Sequence, residues 1–416
     1  MKIAILSDSA PPLSMGGVSS AHYMLCSFLR ELGHDAHIFT FHDPRGGVPN
    51  DPKYLHRSYN FLFIEKMIKA ISKAYFFFKD HRKMACQTSY ILGNLIGCAQ
   101  VFYKLRVFAP QIIISPDYCA PLAFMDLPKN LHVIEIAHHN PERFADPLHY
   151  GVGISRQDIE IALALQRKGL RRVHTVVCPS RYMKDVFAST YPEFSGQVEV
   201  IPNLVNRSVI LSISQQSVAS RLGFTSGAPV IYIPSGGTPM KGERYVFSLL
   251  QFIAKEHETV CFYISGELSV ALKEEIRQCC FKNRVFAPGY MPYAENIAFA
   301  MSCSLCMSPA LAENYSMALL EALAMGLPIV TFDIGGNNEI VSPSCGALVP
   351  FLDLAGMKDA VCSYLRNGQR EVVRASAIDH SFALEQSGKK FAKLLDSIER
   401  DVKISAINFS NDYKCF

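Results

Sequence analysis

Residues 304–332 read SLCMSPALAENYSMALLEALAMGLPIVTF. Ser304–Met307 and Pro328–Phe332 are short apolar runs, and the segment between them has a helical pattern that stops at Gly326. This predicts strand, helix, strand, and runs so apolar along their length are expected to be covered by helices on both faces, as in a parallel sheet. Two carboxylates fall within the unit. Glu313 precedes the helix and Glu321 lies inside it, eight positions on, so roughly 12 Å of axial rise separates them. They can hold opposite ends of an elongated ligand. The unpaired N–H groups around Tyr315, Ser316 and Met317 open the helix and make a positive terminus suited to a diphosphate.

The alternation extends outward in both directions. Strands are expected at Lys2–Ser7, Ala36–Thr40, Gln111–Ser115, Leu131–Ile136, His174–Cys178 and Val198–Ile201. A second series covers Pro229–Ile233, Val260–Ile264, Arg284–Ala287, Ser304–Met307, Pro328–Phe332 and Ala347–Val349. Asn206–Gly227, rich in Ser and without strand character, reads as the linker. At 416 residues the chain also exceeds the roughly 250–300 at which one core stops growing. The expected organisation is therefore α/β, with two Rossmann-like, doubly wound parallel-sheet domains facing a cleft, over residues 1–205 and 206–379.

Composition narrows the function classes. With 49% hydrophobic and 19% charged residues the chain is an ordinary globular protein, and a net charge of +4 does not by itself imply nucleic acid. Thirteen scattered cysteines show neither a disulfide framework nor a Cys-x-x-Cys metal site. The N-terminus enters an apolar strand without the charged region and cleavage site of a signal peptide, and no apolar run is long enough to span a bilayer. These features lead us to expect a cytoplasmic protein.

Two more loops follow apolar strands. Ser9-Ala10-Pro11-Pro12-Leu13-Ser14-Met15-Gly16-Gly17-Val18 precedes a helix expected near Ser19, and Gly16 and Gly17 leave room for an anion at its start. Ser235-Gly236-Gly237-Thr238-Pro239-Met240-Lys241-Gly242 puts a cation at the mouth of the second sheet, where a leaving phosphate would need its charge neutralised.

Taken in order, these segments resemble the family-four GT-B glycosyltransferases. So do Gly33-His34, Cys178-Pro179-Ser180, Ile201-Pro202-Asn203, Gly266-Glu267, Ala287-Pro288-Gly289-Tyr290 and Gly335-Gly336-Asn337-Asn338-Glu339. The resemblance covers nearly the full chain. It implies a retaining transfer of a hexosyl unit from a nucleotide-diphosphate sugar to a hydroxyl acceptor, a glycan or lipid-linked envelope precursor. Lys241, Glu313 and His138 would form the catalytic set, with His139 an equal candidate beside His138. Glu321 would hold the ribose, and Tyr290 and Met291 would lie beside the base. Gly16, Gly17, Ser235, Thr238, Asn314, Tyr315, Ser316 and Met317 would complete the donor site. The resemblance also implies that a helix over residues 380–399 packs back on the N-terminal domain.

Where the family usually carries an arginine five residues before the lysine, this chain has Gly236, for which Ser235, Thr238 or Arg244 could compensate. No Asp-x-Asp occurs, so we expect no metal and no cofactor beyond the nucleotide sugar as co-substrate. The rival readings are a nucleotide-sugar epimerase of the same fold and a catalytically weak sugar-nucleotide-binding partner subunit. Finally, Arg57–Arg106 is helical in period, with nine cations against two acids and several aromatics. It reads equally as an amphipathic surface for anionic lipid at the inner membrane face or as a solvated helical cover for the sheet.

Overall fold

The computed structural model describes residues 1–12, 16–43, 51–58, 62–80, 87–128, 130–146, 148, 155–225, 227–367 and 386–400. Among the described residues, thirteen strands form two parallel sheets. The first contains β1 (Lys2–Ser7), β2 (Asp35–Thr40), β3 (Leu55–His56), β4 (Ile112–Pro116), β5 (His132–Ile136), β6 (Thr175–Cys178) and β7 (Gln197–Val200), in the order β3-β2-β1-β4-β5-β6-β7. The second contains β8 (Val230–Ile233), β9 (Cys261–Ser265), β10 (Val285–Gly289), β11 (Leu305–Ser308), β12 (Ile329–Phe332) and β13 (Gly346–Val349), in the order β10-β9-β8-β11-β12-β13.

Both faces of the central strands are buried, as their unbroken apolar character requires. In β1, Ala4 and Leu6 join one core cluster while Ile3 and Ile5 join another. In β8, Ile231 and Ile233 pack on one side, Val230 and Tyr232 on the other. Each Leu, Ile or Val side chain so enclosed contributes about 1.5–3 kcal/mol of transfer free energy. The edge strands β7 and β10 are less buried, because each lacks a neighbour on one side. Helix 386–400 crosses back to the first sheet, where Phe391, Leu394, Leu395 and Ile398 pack in the cluster around Ile3 and Ile5. Residues 380–385, where that helix was expected to open, lie outside the described residues.

The structure adds detail to two expectations and corrects a third. Asn206–Gly227 contains two short helices, Arg207–Ser212 and Val218–Arg221, whose N-caps Asn206 and Ser217 accept from Val209 N and Ser220 N. The described residues of this segment hold no strand, as expected, and two of its polar residues serve as helix caps. The first helix opens at Gly17 rather than Ser19.

Arg57 is also not part of a lipid-facing surface. Its guanidinium is buried, donates to Asp43 Oδ2 at 3.0 Å and Asp51 Oδ2 at 2.6 Å, and props the loop after β1 through the carbonyls of Ala10 and Pro11. Lys104 likewise points inward, to the Arg57 carbonyl and Ser58 Oγ.

Candidate active site

Each sheet reverses its strand order beside its first strand, between β1 and β4 and between β8 and β11, and crevices at such switch points are where open α/β sheets take ligands. The helix start after β1 and the segments after β5, β7, β8, β9, β10 and β11 meet around one cavity of about 410 Å³ between the two sheets.

Lys241 and Glu313 face each other across the second switch point, with Lys241 Nζ 2.6 Å from Glu313 Oε1. Local geometry fixes the cation. Lys241 ends the short turn Pro239–Lys241, and Gly242 follows at φ +80° with Pro309 O only 1.9 Å from where a Cβ would sit. Any side chain at 242 would have to displace the β11 loop that carries Glu313. Glu321, inside the helix Met317–Ala324, lines the same cavity beside the phenol of Tyr293. Loss of solvent pushes its carboxyl up to about 7.

Two helix starts open on the cavity. Gly17, Val18 and Ser20 come from the helix Gly17–Glu31, and Ser316, Met317 and Ala318 from the helix Met317–Ala324. Neither has a side-chain cap nor an acid in its first turn, so their N–H groups and dipoles keep a positive field there. A Cβ on Gly17 would meet no protein atom within 4 Å, so the protein's own packing does not demand glycine there.

From the N-terminal half come His138 and His139, both lining the cavity. Burial pushes their imidazoles down to about 4 and about 3, so both are neutral at pH 7. They differ in partners. His139 Nε2 lies 3.0 Å from Gln87 Oε1 and its ring packs on Phe144, whereas His138 Nε2 meets no polar partner. Sequence reasoning missed what holds this loop. Buried Asp117, just past β4, accepts from the backbone N–H groups of His138, His139 and Asn140 at 2.8–2.9 Å. An aspartate after a strand gives no sequence signal for that role.

Of the residues expected at the site, Lys241, Glu313, His138, Gly17, Ser235, Tyr290, Met291, Asn314, Tyr315, Ser316, Met317 and Glu321 line the cavity. Gly16 and Thr238 do not. Gly16 is the N-cap behind Gly17, and Thr238 caps the Lys241 turn. Nor does Arg244 stand in for the missing arginine, because its guanidinium donates to Leu148 O at 3.0 Å. A Cβ at Gly236 would point into Ile233 and Ile264, at 2.9 and 2.7 Å. The second cation on the wall is Arg143, which also donates to the carbonyls of His138 and His139.

The family profile for group 1 glycosyl transferases matches residues 228–367, and that for Glycosyltransferase Family 4 matches residues 15–209. The chain is a group 1 glycosyltransferase of GT-B fold. This glycosyltransferase is 23% identical to glycogen synthase of Mycobacterium tuberculosis over 392 residues, 91% of this chain and 89% of that protein. It is 23% identical over 354 residues to the alpha-monoglucosyldiacylglycerol synthase of Streptococcus pneumoniae, covering 82% of this chain and 73% of that one. HepE of Anabaena, solved with UDP and glucose, superposes with a TM-score of 0.65 at 18% identity, over 95% of this chain and all of the other.

Proposed function

We propose that this glycosyltransferase moves a hexosyl unit, with retention, from a nucleotide-diphosphate sugar to a hydroxyl of a glycan or lipid-linked acceptor, without a metal. The observation that carries the reading is the polar lining of the cavity: an ammonium, two helix starts and two acids. The diphosphate would sit between Lys241 and the two helix starts, the ribose at Glu321, and the base by Tyr290 and Met291. Gly17 lets the chain approach the phosphates closely. HepE, with UDP and glucose in its structure, favours a UDP-sugar among the donors to be tried.

Among the described residues lining the cavity, the carboxylates are Glu313 and Glu321, the first paired to Lys241. That arrangement suits front-face transfer better than double displacement. The bond from the anomeric carbon to the diphosphate breaks, the acceptor oxygen bonds on the same face, and the acceptor proton passes to the departing phosphate oxygen. Catalysis is then orientation and charge stabilisation.

Release of nucleoside diphosphate from a panel of UDP-, GDP- and ADP-sugars tests the assignment. We expect turnover with one of them, and the partner-subunit alternative gains if several bind and none turns over. The pH dependence follows from Glu321, which accepts from two ribose hydroxyls most strongly when ionised. Since its carboxyl titrates near 7, affinity for the nucleotide sugar should rise with pH through about 7 and then level off. Glu321→Gln should flatten that profile.

The membrane-facing part of the proposal rests on the helix Leu62–Asp80. It buries Glu65, Ser72 and Phe76 and exposes Phe63, Met67, Ile71, Tyr75 and Phe78, a row at helical spacing with Phe63 80% exposed. The alpha-monoglucosyldiacylglycerol synthase relative makes a lipid acceptor a natural candidate. No described helix is long and apolar enough to cross a membrane. In flotation with anionic phosphatidylglycerol vesicles we expect the parent chain to rise with the lipid and Phe63→Ser/Ile71→Ser to stay at the bottom; a parent that stays down removes the membrane reading.

A further inference from the structure

Three segments singled out in the sequence, Cys178-Pro179-Ser180, Asn314 of the acidic motif and Gly335-Gly336-Asn337-Asn338-Glu339, have no task in the chemistry above. They meet at one place between the halves. Asn314 lines the cavity, yet its amide is turned to the N-terminal half. Nδ2 donates to Ala137 O at 3.1 Å and His138 O at 3.3 Å, and Oδ1 accepts from Ser180 Oγ at 2.8 Å. Ser180 Oγ also caps its own helix, Arg181–Thr190, by accepting from Met183 N at 3.0 Å. At the same helix start, Glu339 of the C-terminal half accepts from the N–H groups of Arg181 and Tyr182 at 3.0 and 3.1 Å.

The glycines make this approach feasible. A Cβ on Gly335 would lie 1.9 Å from Glu313 O, and one on Gly336 would lie 2.1 Å from Asn314 O and 2.9 Å from Ser180 Cβ. Gly336 N donates to Asn314 O at 2.9 Å, so the pair supports the Glu313–Asn314 loop from behind while touching Ser180. The amide of Asn314 is thus the polar bridge from the residue after Glu313 to the carbonyl of His138. Asp117 fixes the same short loop from the other side through its amides.

We propose that Asn314 is a positioning residue: when the two halves close, its amide sets the His138 loop against the Glu313–Lys241 pair, so the catalytic groups come into register only in the closed form. Nucleotide binding itself needs mainly the C-terminal half, whereas transfer needs both. This deepens the transferase reading and rests on it.

The test uses the full chain, with UDP and GDP as binding probes and the nucleotide sugar the parent turns over as substrate. Asn314→Ala removes two hydrogen bonds to the loop and one from Ser180, and should lower kcat about 10- to 30-fold. Its dissociation constant for the nucleoside diphosphate should stay within about threefold of the parent. Asn314→Asp keeps the acceptor for Ser180 but sets a carboxylate against two carbonyls, so it should lose at least as much kcat with the same unchanged affinity. Small-angle scattering with nucleotide bound should show both variants more extended than the parent.

A purely structural residue would instead lower the number of nucleotide sites and kcat together. That parallel loss, or kcat within about twofold of the parent in both variants, overturns the coupling alone while leaving the transferase reading in place. A parent that binds neither nucleotide and releases none from any sugar donor overturns the transferase reading, and the coupling with it.

Discussion

Lys241→Ala should reduce release of nucleoside diphosphate from the sugar donor by about 10³-fold, which corresponds to about 4 kcal/mol of transition-state stabilisation. The size follows from what else faces the departing charge. The wall offers two helix starts, each equivalent to about half a charge, and the guanidinium of Arg143, which is already shared with two carbonyls. Lys241 is the ammonium among the described lining residues, held by a turn that Gly242 locks against the β11 loop.

The substitution also strips Glu313, which is almost fully buried, of its partner, so nucleotide affinity should fall too as an uncompensated carboxylate faces the diphosphate. Lys241→Arg restores the charge but not the compact head, and should recover only part of the rate. Initial rates and calorimetric affinities for the two variants check both statements.

Glu313→Gln should act in the opposite sense on binding. In the parent chain the carboxylate holds the ammonium at 2.6 Å, and neutralising it frees Lys241 for the diphosphate. Affinity for UDP or GDP should therefore hold or rise, while kcat should fall about 10²-fold, since the resemblance assigns Glu313 to the catalytic set and the substitution removes its charge. Loss of rate with intact binding distinguishes a group acting on the transferred sugar from one that only holds the nucleotide. A parallel fall in both would assign Glu313 to packing of the Lys241 loop.

The strands were legible because their apolar runs are continuous and bounded by Gly, Pro and Asn. Twelve expected strands match the structure to within a residue or two at their ends. β3 escaped because two residues on the edge of a sheet carry no pattern. The linker helices escaped because Ser217 and Asn206 look the same in a loop as at an N-cap.

At the site, Lys241, Glu313 and Glu321 were readable as a group because Lys241 and Glu313 follow strands in an ordered series of loops and Glu321 lies in the helix that Glu313 precedes. What could not be read were contacts set by packing between distant segments. The Lys241–Glu313 pair spans 72 residues, and the Asp117 clamp spans 21 to 23. Arg57 looked like one cation among nine on a surface, yet two aspartates and two carbonyls draw it inside. Asn314 looked like a donor ligand because it sits in the acidic motif, and only the packing of the two halves shows its amide bonded to Ala137, His138 and Ser180.

The most direct test is a crystal structure of the chain with the nucleoside diphosphate of its preferred donor. The account predicts one nucleotide in the crevice between the sheets, its diphosphate within hydrogen-bond reach of Lys241 and the start of the helix Met317–Ala324, and its ribose on Glu321. A nucleotide seated away from that crevice, or bound there with Lys241 and Glu321 both out of reach, would contradict it.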